Sequence, residues 1–247
     1  MNLRTLMCLW LALMAGLHPL RAAEPAAEFD RANKLYEEGK FRDAAEAYHQ
    51  IIAAGHRAPA LFFNLGNAQF KAGNLGQAIA AYRQAGELSP RDADLNANLQ
   101  FARSRVAGPT LKSTWRQRLT ESLTTNEWTL LAVVPMWAWL ALQIVRQIKP
   151  ALTPTLRKAT LATGIASLVA GAALGFVLNQ RFNGRTVVVT THDAVARFGP
   201  IAESQSAFTA SDGSEFRLVD TKDDWCQVTA GGKAFGWLKT NAVIVLD

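Results

Sequence analysis

Cys226, His192 and the adjacent Asp193 are residues whose types could combine into a nucleophilic centre, a Cys-His pair. A thiol needs a base to become a thiolate, and the base needs a third group to orient it. No glycine-flanked nucleophile elbow or oxyanion loop accompanies them. The sequence also lacks a phosphate-binding glycine loop, a zinc-ligand spacing and a paired-carboxylate motif. The remaining histidines, His18, His49 and His56, lie in an N-terminal apolar segment and in a helical repeat region. Asp223 and Asp224 read as a solvated turn before Trp225, and His192 as a solvated loop residue. Cys8, the only other cysteine, belongs to the N-terminal segment, so Cys226 has no partner for a disulfide or a cysteine metal site. Its expected place is a buried strand. The chain is expected to be non-catalytic and to use no cofactor or metal.

The elements that would position any site are organised by charge and hydropathy. A length of 247 residues allows one large domain or two small ones. The formal charge of +6 would point to nucleic acid if it lay on a soluble surface. It does not: residues 24–106 carry ten basic and ten acidic side chains, and residues 185–247 carry six basic and eight acidic ones. Residues 128–184 hold five basic groups and no acid. The excess flanks apolar segments, so nucleic-acid binding has no electrostatic basis.

Residues 1–23 place Arg4 before an apolar run from Leu6 to Leu17, then Pro19 and small residues at Ala22 and Ala23. That is the shape of a secretory signal. Leu20 or Arg21 would fall at the −3 position, so an uncleaved anchor is the alternative, and either form exports the domain behind it. Residues 128–145 and 159–178 are uncharged, apolar and close to the roughly 20 residues that cross a bilayer. A buried core helix is the competing reading, favoured in the first segment by its shortness and by Pro135. Between them, residues 146–158 carry Arg146, Lys149, Arg157 and Lys158, which by the positive-inside rule belong in the cytoplasm. Both ends of the hairpin then face outward. Gly164, Ser167 and Gly171 recur at helical spacing and would either admit the first helix closely or face lipid.

Residues 25–92 repeat at an interval of 34: Gly39 returns as Gly73, Phe41 as Leu75, Ala44 as Ala78 and Tyr48 as Tyr82. This period with these residue types is similar to the tetratricopeptide repeat, a pair of antiparallel helices. The second copy, from Phe62 to Pro90, resembles the family pattern closely. It departs at Gln69, where an aromatic is usual and where the neighbouring Phe70 is expected to compensate. The first copy ends on His56 in place of the proline. Residues 92–106 read as a further helix that caps the array, with Leu95, Leu99 and Ala102 on one face. Two repeats and a cap fall short of the usual three, so support is expected from another subunit, a partner or the juxtamembrane residues 107–127. The resemblance implies a concave protein-binding face bearing Asn33, Tyr36 and Glu37 in the first repeat and Asn67, Phe70 and Lys71 in the second.

From Thr186 onward short β-rich runs alternate with turns at Gly199–Pro200, Asp212–Gly213 and Gly231–Gly232, the pattern of a small barrel. Residues 194–200 (AVARFGP), Trp225–Val228 (WCQV) and Gly236–Leu238 (GWL) resemble a bacterial SH3-like domain, here residues 185–247. Trp225 and Trp237 are the aromatic residues of its expected cleft, with core packing the stronger expectation for Trp225.

The fold class is accordingly a multidomain membrane protein: an all-α tetratricopeptide helical array over residues 24–106, a two-helix transmembrane hairpin and a small all-β SH3-like barrel. This order of modules resembles the BatE family of the bacterial aerotolerance (Bat) operons. The resemblance implies a scaffold in the bacterial inner membrane with its soluble domains on the periplasmic side. Its implied partners are membrane proteins with von Willebrand A domains and a MoxR-type ATPase. Peptidoglycan binding through the SH3-like domain is the alternative.

Overall fold

The computed structural model describes residues 23–111, 119–230 and 235–246. Nearly all of the candidate signal, part of the juxtamembrane segment and the Gly231–Gly232 turn lie outside these residues.

Five antiparallel helices open the chain: α1 (Ala23–Glu37), α2 (Phe41–Ala53), α3 (Pro59–Lys71), α4 (Leu75–Leu88) and α5 (Ala93–Arg103). Each repeat closes its first helix in the same way. Gly39 and Gly73 adopt φ of 75° and 87°, a left-handed conformation that only glycine enters without cost. The following amides return to carbonyls of the last turn, Lys40 to Leu35 and Asn74 to Gln69. Small residues then set the spacing between helices. A Cβ on Gly66 would lie 2.5 Å from the Tyr82 ring, so the glycine lets the ring approach α3 closely. The first core gathers Ala32, Ala44, Tyr48, Ile51, Leu61 and Leu65.

α5 begins one full repeat period after α3, which makes it the first helix of a third repeat whose second helix is replaced. The chain's own C-terminal domain fills that place. Seven strands, β1 (Thr186–Val189), β2 (Ala194–Arg197), β3 (Ser206–Ala210), β4 (Glu215–Lys222), β5 (Trp225–Thr229), β6 (Phe235–Lys239) and β7 (Val243–Leu246), form one antiparallel sheet in the order β3-β2-β6-β5-β4-β1-β7. Irregular registers at Ala196/Arg197 and Leu218/Asp220 bend it. The Phe208 and Phe216 rings, on strands four places apart, meet with centroids 5.6 Å apart. In a flat sheet those strands would be roughly 19 Å apart, so the sheet curls around its own core.

Strands β1 and β7 are buried on both faces. Val187, Val189 and Val243 point into the β core, whereas Val188 and Leu246 join Ile79, Ala85, Leu95 and Ala102 of the helical array in a second, shared core. The array and the sheet are therefore one folding unit, and the support missing from a two-repeat array comes from the same chain.

Two long helices, α6 (Thr125–Ile148) and α7 (Thr153–Asn183), lie between the array and the sheet in chain order and pack side by side. Both are long and apolar enough to cross a membrane. α6 runs through Pro135, and Ala132 is its one buried residue. Leu168 is 77 % exposed and Trp137 63 %, so these helices do not supply the core of the array or of the sheet. Gly164 sits against Trp139, where an added Cβ would come within 3.0 Å of the indole nitrogen; Gly171 and Gly175 face open space. At the end nearest the array, Arg181 donates to the Leu123 carbonyl at 3.0 Å and the Trp128 indole donates to the Thr120 carbonyl at 3.2 Å. Arg91 of the array pairs with Glu127 there. Arg146, Lys149, Arg157 and Lys158 cluster at the opposite turn.

Candidate functional site

The concave face is built from the first helix of each repeat. Asn33 Oδ1 accepts two hydrogen bonds, from the Tyr48 hydroxyl at 2.6 Å and from Asn64 Nδ2 at 3.0 Å. The set recurs one repeat later: Asn67 Oδ1 accepts from the Tyr82 hydroxyl at 2.8 Å and from Asn98 Nδ2 at 3.0 Å. Burial pushes the Tyr48 phenol up to about 12 and raises that of Tyr82 as well, so both stay protonated donors.

This arrangement fixes which way each amide points. These bonds engage Oδ1 of Asn33 and Asn67 and Nδ2 of Asn64 and Asn98, and the NH₂ groups of the first pair and the carbonyl oxygens of the second take no part in them. The half-buried face therefore offers a donor and an acceptor at each junction between first helices, the pattern needed to hold an extended peptide backbone. Asn33 and Asn67 thus tie adjacent repeats together and also face the groove. Asn67→Ala removes the acceptor of a buried hydroxyl. It is expected to cost about 1–3 kcal/mol, measured by chemical denaturation, with Asn67→Asp recovering most of the loss.

The other groove positions divide by character. Tyr36 packs edge-on against Phe41, with centroids 5.2 Å apart, and Glu37 and Lys71 are exposed. Phe70 does not stand in for the missing aromatic at Gln69. Gln69 is itself buried, with its oxygen accepting from Asn74 at 2.8 Å and its nitrogen 3.4 Å from His49 Nε2, while Phe70 turns to the Phe101 ring at 5.6 Å. Burial lowers the pKa of His49. The folded state thus binds its proton less readily than the unfolded chain. The stability this gives is fully present above the unfolded value near 6.5 and is lost as pH falls toward the lower folded value. The melting temperature should therefore fall between pH 7.5 and 5.5, and His49→Gln should flatten part of that slope.

Past Phe70, an open cavity of about 360 Å³ is lined by Phe70, Gly73, Leu75, Phe101 and Arg105. Phe101 and Arg105 stand one repeat period after Asn67 and Lys71, so they are the third row of the same face.

Residues 29–93 match the tetratricopeptide repeat family. No curated protein matches the chain. The match spans α1 from Phe29 through α4 to the start of α5, and the tetratricopeptide array is the part of the chain suited to protein–protein interaction.

In the β domain Trp225 and Trp237 are 7 % and 8 % exposed, with Lys239 Nζ 5.6 Å from the centre of the Trp225 ring. Neither indole forms an open platform. Cys226 is buried on β5, where burial raises its pKa, and His192 is exposed between β1 and β2. Among the described residues no group of three acids, histidines or cysteines is placed to hold a metal.

The junction between array and sheet has no counterpart in the sequence pattern. The Asp212 carboxylate accepts from the amides of Leu75 at 3.1 Å and Gly76 at 3.0 Å, capping α4 from a distant turn in place of Asn74, which makes no side-chain cap. Glu215, fully buried, binds Arg103 through two bonds of 2.8 Å and Arg83 at 2.9 Å, and accepts from the Leu111 amide at 3.2 Å. A lone Asp-Gly pair and a lone Glu in a strand carry no sequence signal for such long-range roles. Asn98, by contrast, is legible as Asn64 carried one period forward.

Proposed function

We propose that the chain is a non-catalytic scaffold, anchored in the bacterial inner membrane by the α6–α7 hairpin, that gathers partner proteins on its tetratricopeptide face outside the cytoplasm. The observation that carries this reading is the shared core of array and sheet. One precedes the hairpin and the other follows it, so their docking requires them to lie on the same side of any membrane the hairpin enters. A hairpin of two crossings meets that requirement. The basic cluster at the far turn favours a cytoplasmic turn, with the docked domains outside. The SH3-like reading of the β domain rests on its residue pattern and its curled antiparallel sheet, which here reinforces the array. Membership of a Bat-like complex, with von Willebrand A domain proteins as partners, rests on the resemblance in module order.

Alkaline phosphatase fused after Asp247 should be active, and the same reporter fused at Pro154 inactive. Activity at Pro154 and none at the C-terminus would reverse the orientation. A photo-crosslinking amino acid at Tyr36 should capture discrete envelope proteins in cells, and one at exposed Val219 on the sheet should not.

A further inference from the structure

The C-terminal end of the groove has a chemistry of its own. Its floor is aromatic, with the Phe70 and Phe101 rings in contact and Phe101 half exposed. Leu75 and Gly73 close one side. Gly73 contributes no side chain, and nothing lies within 4 Å of where its Cβ would stand. Arg105 stands at the rim with its guanidinium 4.9 Å from the centre of the Phe101 ring, and it forms no ion pair among the described residues. The position it occupies recurs along the face as Glu37, Lys71 and Arg105, so the charge runs from acidic at the first repeat to basic at the last two. An exposed aromatic floor with a cation at its rim complements a peptide that carries an apolar side chain beside a carboxylate.

We propose that this cavity is the anchor site of the groove. It takes an aromatic or large aliphatic side chain from an extended partner segment, while Arg105 binds an acidic residue beside it. The asparagine pairs hold the backbone of the same segment. Leu75 also packs against Gly213 of the docked sheet, where an added Cβ would fall 3.2 Å from Leu75 Cγ, so one wall of the cavity is held in position by the β domain. The inference rests on the scaffold reading and adds to it the chemistry of the partner.

Fluorescence polarisation on the full chain in detergent micelles tests this, with the fluorescein-labelled peptide Gly-Ser-Asp-Phe-Glu-Ser-Gly as probe. Binding should weaken at least tenfold when the peptide's phenylalanine becomes serine, and several-fold when its two acids become lysines. Phe101→Ser should weaken the original peptide at least tenfold. Arg105→Glu, an exposed change that leaves the cores intact, should reverse the preference toward the lysine-flanked peptide, a result that a folding defect does not produce. Salt should weaken the original peptide more than the serine-flanked version. Equal binding of all the peptides, no binding of any, or an unchanged preference in Arg105→Glu each overturns the assignment. If crosslinks at Tyr36 persist alongside those results, the scaffold reading stands and only the anchor chemistry is lost. Absence of crosslinks at Tyr36 as well removes both.

Discussion

Glu215→Ala is expected to destabilise the full chain by about 3–5 kcal/mol, because it strands two guanidinium groups in the junction between the array and the sheet. Arg83 and Arg103 are 21 % and 12 % exposed there, and both take their carboxylate partner from Glu215. Removing that partner leaves two part-buried positive charges facing each other, with only the Thr186 hydroxyl still accepting from Arg83 at 3.0 Å. The Leu111 amide loses its acceptor as well. Thermal unfolding in detergent micelles, followed by tryptophan fluorescence, should show a large drop. Limited proteolysis should then cut the segment joining α5 to the hairpin before it cuts either core. The companion experiment separates charge from shape. Replacing Glu215, Arg83 and Arg103 together with apolar residues of similar volume should recover much of the loss, since a buried ion cluster is not inherently more stabilising than a well-packed apolar one. A single Glu215→Ala change that costs under about 1 kcal/mol would mean that the domains do not dock through this cluster in solution.

Gly76→Ala tests the same junction with an opposite local expectation. In an isolated helix, alanine at this position would be favoured over glycine by about 1 kcal/mol. Here a Cβ on Gly76 would stand 1.9 Å from the Val189 carbonyl oxygen and 2.5 Å from Asp212 Oδ1. The Val189 oxygen already accepts from the Gly213 amide at 2.9 Å, so it cannot shift without disturbing the turn that caps α4. The start of α4 must therefore move away from the sheet, losing the Asp212 cap and opening the shared core around Val188 and Ile79. The expected loss is at or above the roughly 1–3 kcal/mol of ordinary overpacking. Because helix propensity alone predicts a gain, the sign of the measured change decides whether α4 is docked. Gly86, one helix face away, provides the control: its Cβ would meet only Leu95 Cδ2 at 3.9 Å, so Gly86→Ala should be neutral or stabilising.

Much of this architecture is legible in the sequence because it arises from local periodicity. The repeat interval specifies two helix pairs and, carried one step further, a third first helix with Asn98 and Phe101 in groove positions and Arg105 just past its end. Uncharged runs of membrane length specify two long apolar helices, and the structure lengthens each beyond its uncharged stretch because the helices continue through flanking polar residues that are hydrogen-bonded at their ends. The turn residues and apolar alternation from Thr186 onward specify a small antiparallel sheet. Spacing of this kind is written in neighbouring residues, so it survives without any knowledge of which surfaces pack together.

The features that the sequence leaves open depend on contacts between residues far apart in the chain. Thr186–Val189 and Val243–Leu246 are continuous apolar runs rather than alternating ones, because each strand is covered on one face by its own sheet and on the other by the array. The same runs are compatible with many partners, and only the folded chain selects α4 and α5. Asp212 and Glu215 look like ordinary turn and strand acids until the fold brings an uncapped helix and two arginines to them. Tertiary structure thus joins two apparently independent modules into one unit. Burying a carboxylate stabilises that unit only where the opposing charges and amides are already in place.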